Sequence, residues 1–247
     1  MDLEYESGFK LTNLEHSTVG DVVTADYRTA TIFRKHHIDF ACCGDKLIKE
    51  VCTTTLLQEL EAFITAMPSK ADPYNEYQQL PLDVLISHLR KKHHDFAKGQ
   101  VRIIKQNLDE LCMQYRRRHP ELNEICNLFY SAADMLATLM SIEESELFPF
   151  FANVHKAWEE KNKCVLSHSQ KLETIFCDVK QGHRFCTTCF QSIRKLSNGY
   201  SIPADACNLF RLTYIFLEIF ETDLLLHIHT ENNILFPRVS QFQSLCN

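Results

Sequence analysis

Apolar residues recur at steps of three and four along four long stretches of this chain, a period that fits an amphipathic α-helix and not a strand. Within residues 82–116 the stripe runs through Ala97, Val101, Ile104, Leu108 and Leu111, and within 120–152 through Leu122, Ile125, Phe129, Ala132, Leu136, Leu139, Leu147 and Phe150. A third stripe, Val165, Leu172, Ile175 and Val179, occupies residues 161–180 and closes near Gly182. The fourth spans residues 203–239 through Leu209, Thr213, Phe216, Phe220, Leu224 and Leu235. Pro120 and Pro203 suit first helical turns. Four such helices with modest connections predict an antiparallel bundle. The longest connection, GHRFCTTCFQSIRKLSNGYSIP, falls between helices three and four and reads as partly structured. Only six Gly and seven Pro in 247 residues argue against a turn-rich β architecture.

Ahead of the bundle lie two short helical patterns, around residues 18–35 and 53–66, with HHIDFACCGDK between them. The stretch AMPSKADPYNEYQQLP holds three Pro and little periodicity, and reads as a linker. The expected organisation is therefore all-α: a helical N-terminal module over 1–66, a linker over 67–81, and a four-helix bundle over 82–247. A formal charge of −6 gives no reason to expect nucleic acid or an anionic membrane as partner. The opening MDLEYESGFK lacks the bases and apolar core of a secretion signal, and runs such as YIFLEIF are broken by charge short of a membrane span. Eleven Cys without an export signal read as reduced thiols of a cytoplasmic protein.

Each stripe also carries an ionisable side chain on the face that must turn inward: His94 on the first helix, Glu143 on the second, His168 on the third, His227 and Glu231 on the fourth. An unpaired carboxylate in a core costs several kcal/mol. Two such Glu and three such His converging from four helices need a shared partner. A metal-free His–Glu network is one answer; iron, which accepts imidazole and carboxylate together and can be bridged by a carboxylate, is the better one. Glu143 and Glu231 are each followed four residues later by Leu-Phe-Pro, yet His227 stands four before Glu231 while Leu139 stands four before Glu143. His88, His93, Glu144, Glu146 and His155 fall off the stripes and read as non-ligands, and His229 reads as a surface histidine. His119, just before Pro120, can either cap a bundle end or reach the metals. His183-x-x-Cys186-x-x-Cys189 lacks a fourth ligand and reads as a loop feature. Cys42 and Cys43 are adjacent, which disfavours a strain-free disulfide between them; they are either soft ligands and redox partners, or small buried hydrophobes.

The motif HTENNILFPR resembles the fourth-helix motif of the RIC (repair of iron centres, ScdA-type) proteins, within a hemerythrin-like domain. FRKHHIDFACCGD resembles the short N-terminal module of the same family, and the two occur in the family's order across nearly the whole chain. The resemblance implies a hemerythrin-like bundle holding two non-haem iron ions, oxo- or hydroxo-bridged. His94, His119, His168 and His227 would be terminal ligands, Glu143 and Glu231 bridging carboxylates, and Cys42 and Cys43 the groups mediating transfer or electron exchange. It further implies repair of iron–sulfur clusters damaged by oxidative or nitrosative stress, with damaged iron–sulfur proteins as clients and oxygen or nitric oxide as small ligands. An oxygen- or nitric-oxide-binding protein without repair activity is the alternative. A homodimer would bring one chain's Cys pair to the other's metals. Two features depart from the family pattern: Leu139 replaces the second-helix histidine, and Ser167 and Ser169 flank His168 where acids are usual. Loss of that imidazole should open the site and loosen one iron.

Overall fold

A computed structural model describes residues 11–67, 74–159 and 170–246. The chain separates into two units, Met1–Gln79 and Leu80–Asn247. Helices dominate both, and the β pairing among the described residues is an isolated bridge between Thr18 and Leu47.

The first unit contains α1 (Val19–Ala25), α2 (Ala30–Lys35), α3 (Ile48–Val51) and α4 (Thr54–Ala66). Thr18 caps α1 reciprocally: its hydroxyl accepts from the Asp21 amide while the Asp21 carboxylate accepts from the Thr18 amide. This satisfies two of the donors that a helix start leaves orphaned. Val19, Val23, Phe33, Phe40, Ala41, Ile48 and Leu60 are buried within the unit. The segment after α2 turns through His37 in the left-handed region (φ 57). It then buries Phe40 and Ala41, leaving Cys42 and Cys43 half-buried. Asp39 Oδ1 accepts from the Cys42 amide at 2.9 Å and holds that turn. Part of the expected linker folds as well. Asn75–Gln78 forms a short 3-10 turn, Tyr77 is buried, and Tyr74 packs edge-on against Tyr27 at 5.1 Å.

The second unit is a four-helix bundle built from interrupted rods. The first rod joins α5 (Leu82–His88), a π-helical turn Leu89–His94, and α6 (Asp95–Tyr115). The second joins α7 (Glu121–Ile142), a π turn Glu143–Leu147, and α8 (Phe148–Glu159). The third is α9 (Gln170–Leu196); the fourth joins α10 (Asn208–His229), a π turn Thr230–Leu235, and α11 (Phe236–Cys246). α7 packs against α6 and α9, and α10 closes the ring against α6 and α9. Phe129, Phe190 and Phe220, from α7, α9 and α10, meet in the core with ring centroids 5.5–6.1 Å apart.

The third helix differs from its sequence expectation. Gly182 does not end it: α9 continues to Leu196, so the stretch expected as a partly structured connection is mostly helix. The apolar stripe continues with it through Val179, His183, Cys186, Phe190 and Ile193, all buried. Gly182 is there because the neighbouring helix occupies its side-chain space. A Cβ at that position would lie 2.6 Å from Leu139 Cδ2 and 2.9 Å from Cδ1. The actual stop comes later, at Asn198, Gly199 and Tyr200, all left-handed, with the Gly199 amide bonded back to the Arg194 carbonyl at 2.7 Å.

By length and composition Glu121–Ala157 would pass for a membrane span, contrary to the expectation that charge interrupts every apolar run. Its Leu122, Ile125, Phe129, Leu136 and Leu139 are instead buried inside the bundle.

Candidate metal centre

Three of the four rods break into a π turn at the level of the candidate ligands. His94 ends the first π turn, Glu143 begins the second, and Glu231 lies in the third. Single π turns inside α-helices are uncommon and concentrate at functional sites. The repeated Leu-Phe-Pro tail accounts for two of them. Pro149 and Pro237 each stand six residues after the glutamate. A proline inside a helix lacks the amide donor for the carbonyl four residues back and crowds that carbonyl. The π turn preceding each proline absorbs this misfit.

These turns aim four fully buried side chains at one point. Donor atoms of His94, Glu143, His227 and Glu231 lie within 4.8 Å of one another. His94 Nε2 is 3.2 Å from His227 Nε2, 3.4 Å from Glu143 Oε2 and 4.0 Å from Glu231 Oε1. His227 Nε2 is 3.2 Å from Glu231 Oε1 across one helical turn. A fifth group completes the cluster from α9: His183 Nε2 lies 3.2 Å from Glu143 Oε1 and 3.3 Å from Glu231 Oε2.

Around this cluster the outer ring nitrogens are held. His94 Nδ1 pairs with Glu144 Oε1 at 2.8 Å, and Glu144 accepts from Lys98 at 2.8 Å. His183 Nδ1 faces Asn232 Oδ1 at 3.2 Å, an oxygen that can only accept. With Nδ1 protonated, each ring presents its Nε2 lone pair inward, the tautomer a metal ligand needs. His93, buried beside His94, pairs with Asp223 at 2.9 Å and stacks on His227 with 5.6 Å between centroids. Glu144 and His93, set aside as off-stripe, thus orient rings of the cluster.

The donor set suits a metal. Three of the four carboxylate oxygens, Glu143 Oε2 and both of Glu231, are buried without a hydrogen bond. Such oxygens are costly unless a cation serves them. In the metal-free protein, protons do part of that work. Burial disfavours a charged His183, yet Glu143 and Glu231 outweigh it and raise its pKa to about 10. Burial, with Glu231 beside it, pushes the Glu143 carboxyl up. Burial acts the same way on Glu231, but His227 and His183 hold it well below the usual carboxylate range. Burial and the charge of His227 bring His94 down to about 4. A divalent ion would replace those protons.

The remaining sequence candidates fall elsewhere. His119 is not in the cluster. Its Nδ1 pairs with Glu121 at 3.0 Å and its Nε2 with Asp205 at 3.1 Å, and its ring packs on Phe210. It sits at the start of α7, roughly 33 Å from Glu143 at ~1.5 Å of helix rise per residue, so it caps the opposite end of the bundle. His168 lies outside the described residues. His183 was missed because Gly182 read as a helix stop; the stripe spacing from Val179 to Ile193 was the signal that could have found it. His229 is buried, not on the surface. Every residue from Leu226 to Glu231 is enclosed there, so the face opposite His227 is also interior. Cys186 and Cys189 are buried helix residues; the Cys186 thiol points at the Ala132 carbonyl at 3.6 Å, and burial pushes its pKa up to about 12.

Residues 15–72 match the family model ScdA_N, described as a domain of unknown function (DUF542). The iron-sulfur cluster repair protein ScdA of Staphylococcus haemolyticus (strain JCSC1435) is 25% identical over 230 residues, 91% of this chain and 98% of that protein. The iron-sulfur cluster repair proteins YtfE of Yersinia pestis (strain Pestoides F) and Yersinia pseudotuberculosis serotype IB (strain PB1/+) are each 29% identical over 232 residues, covering 90% of this chain and 96% of theirs. With an ScdA_N match ahead of the bundle and this similarity running nearly end to end, the chain is similar to the ScdA-type iron-sulfur cluster repair proteins.

Proposed function

We propose that this protein repairs iron–sulfur clusters damaged by oxidative or nitrosative stress, and that its hemerythrin-like bundle holds two iron ions at the Glu143–Glu231 pair. One observation carries the metal part: two fully buried carboxylates, each flanked by imidazoles on both sides, with three oxygens left without a hydrogen bond. The repair part rests on the relatives' names and the ScdA_N match. His94, His183 and His227 would serve as imidazole ligands and the two glutamates as bridges, completed by an oxo or hydroxo group. Bound iron would supply redox capacity and open coordination positions for oxygen, nitric oxide or water. The chain's own part is to exclude bulk water, hold the ring tautomers through Glu144 and Asn232, and keep two carboxylates charged in a dry core. Cys42 and Cys43 are partly exposed and would handle iron transfer or electron exchange with a damaged client. The described cysteines are free thiols, which suits a reducing compartment such as the cytoplasm.

The test loads anaerobically purified protein with Fe(II), measures bound iron, and adds it to a dehydratase whose [4Fe–4S] cluster has been damaged by nitric oxide. Restored activity, lost in Glu231→Gln together with the iron and lost in the Cys42→Ser/Cys43→Ser double variant without it, is the expected outcome. Iron binding without any restoration would leave a protein that only binds oxygen or nitric oxide. Absence of bound iron would defeat the metal reading itself.

A further inference from the structure

The seam between α6 and α7 carries a ladder of side-chain pairs spaced by single helical turns. Lys105 Nζ pairs with Asp134 Oδ1 at 2.8 Å and sits 4.5 Å from the centroid of the Tyr130 ring. One turn on, the Tyr130 hydroxyl donates to Asp109 Oδ2 at 2.7 Å. At the next turn, close to where the two helices join, the facing residues are Cys112 and Cys126, and their thiols hydrogen-bond each other. Steps of three and four keep each set on one helix face. Advancing on α6 while receding on α7 is the register of an antiparallel pair.

The third rung differs in kind from the other two. A cation or a hydroxyl set against a carboxylate is complementary as it stands. Two thiols are weak donors and weak acceptors, and the strong bond open to a pair in contact is a disulfide. Cys186 and Cys189 are shut in the core, whereas Cys112 and Cys126 are half-buried and within reach of small oxidants. The Cys112 thiol donates to the Leu122 carbonyl at 3.4 Å, and the Cys126 thiol faces Asp109 Oδ1 at 3.9 Å. Burial, with Cys112 and Asp109 alongside, pushes the Cys126 thiol up to about 12. Burial raises Cys112 too, but its hydrogen bond with Cys126 opposes the rise. Cys112 is therefore the sulfur that reacts first, and Cys126 the one that resolves it. With both thiols protonated at rest, exchange with ordinary small disulfides is slow and the pair stays reduced until a stronger oxidant arrives.

We propose that Cys112 and Cys126 form a reversible disulfide in the presence of a hydroperoxide, pinning α6 to α7 at the end of the bundle remote from Glu143. The Cys112 sulfur attacks one peroxide oxygen and the O–O bond breaks; with hydrogen peroxide the products are a sulfenic acid and water. The Cys126 sulfur then attacks the sulfenic sulfur, the S–O bond breaks, and the displaced hydroxide leaves as a second water with the Cys126 proton. The two sulfurs lose the two electrons that the peroxide gains. Cys126 lies 17 residues before Glu143 on the same rod, roughly 25 Å away at ~1.5 Å of rise per residue, so the link does not depend on whether the centre holds metal. Its effect is on the bundle's persistence: closing the α6–α7 connection into a covalent loop restricts the unfolded chain and stabilises the fold while oxidant is present.

The full-length protein, treated with hydrogen peroxide, alkylated and digested with trypsin without reduction, reads this directly by mass spectrometry. Cleavage at Lys105, Arg116, Arg118 and Lys156 leaves each thiol as the single cysteine of its peptide, Gln106–Arg116 and His119–Lys156. The joined pair should be the dominant disulfide, and dithiothreitol should remove it. The oxidised protein should melt about 5 °C or more above the reduced one. In Cys126→Ser, dimedone should label Cys112 at least tenfold more than in the parent, because the resolving thiol is gone. Circular dichroism checks the fold of this variant; if it is lost, Cys126→Ala replaces it. Disulfides confined to other cysteines overturn the proposal, as do Cys112 and Cys126 thiols left intact at peroxide levels that oxidise the other half-buried cysteines. A linked protein that melts no higher than the reduced one, or a folded variant whose Cys112 takes no dimedone, overturns it as well.

Discussion

Replacing Gly182 by Ala sets two opposing effects against each other, and the structure decides their order. Glycine in a helix interior costs about 1 kcal/mol relative to alanine, so the substitution on an open helix face would stabilise. Here the new Cβ would meet Leu139 Cδ2 at 2.6 Å, Cδ1 at 2.9 Å and Cγ at 3.1 Å. All three lie inside ordinary contact distance, so no small rotation of one methyl clears them. Leu139 is only 2% exposed, so its side chain would have to shift within a buried setting. Overpacking of this kind costs ~1–3 kcal/mol. The net expectation is a loss of up to about 2 kcal/mol, or a fall in the bundle's melting temperature of up to roughly 8 °C at ~2–4 °C per kcal/mol. Leu139→Ala removes the obstruction at its own cavity cost of ~2–5 kcal/mol. In that background Gly182→Ala should add about 0.5–1 kcal/mol of stability. Urea denaturation of the four members of the cycle, followed by circular dichroism, should return a coupling of about 2 kcal/mol between the two sites. If Gly182→Ala stabilises the parent as much as it stabilises Leu139→Ala, the two helices do not meet as described, and the account of why a glycine stands in the middle of α9 fails with it.

His119→Gln should leave iron content unchanged, and a loss of bound iron would contradict its placement at the far end of the bundle. The same variant has a pH signature. Burial disfavours the His119 imidazolium, but hydrogen bonds to Glu121 and Asp205 outweigh this and raise its pKa. A raised folded pKa means the stabilisation is fully present below the unfolded value of about 6.5 and is lost as pH rises through the folded one. The variant should therefore be less stable than the parent in mild acid and indistinguishable from it at high pH, which chemical denaturation at several pH values will show. Arg194→Ala leaves the buried Glu221 carboxylate with Tyr200 but without its cation, which now bonds it at 3.1 and 2.5 Å. A loss of about 3 kcal/mol is expected, and a change under 1 kcal/mol by denaturant titration would show the pair to be solvated. Phe33→Ala, in the core of the first unit, should cost ~3–5 kcal/mol and unfold that unit while the bundle's metal binding persists.

Periodicity alone carried the all-α class, the four rods, and the placing of His94, Glu143, His227 and Glu231 on inward faces, because side chains three and four apart share a helix face whatever the helix packs against. The Leu-Phe-Pro repeat was legible as a pairing of the two glutamates. What lay beyond the sequence was every decision made between helices. Gly182 looked like a stop because glycine is a poor helix former in isolation; against Leu139 it is the residue that lets two helices approach, and the helix runs on to deliver His183. His229 looked exposed because it opposes His227 on the helix, yet both faces of that turn are enclosed. His119 had a ligand's chemistry and a position next to a helix start, and only the three-dimensional arrangement shows which end of the bundle that start occupies. Local sequence determines which way a side chain points from its own helix. Which atoms wait on the other side, and so whether a histidine becomes a ligand, a cap or a core residue, is settled by packing.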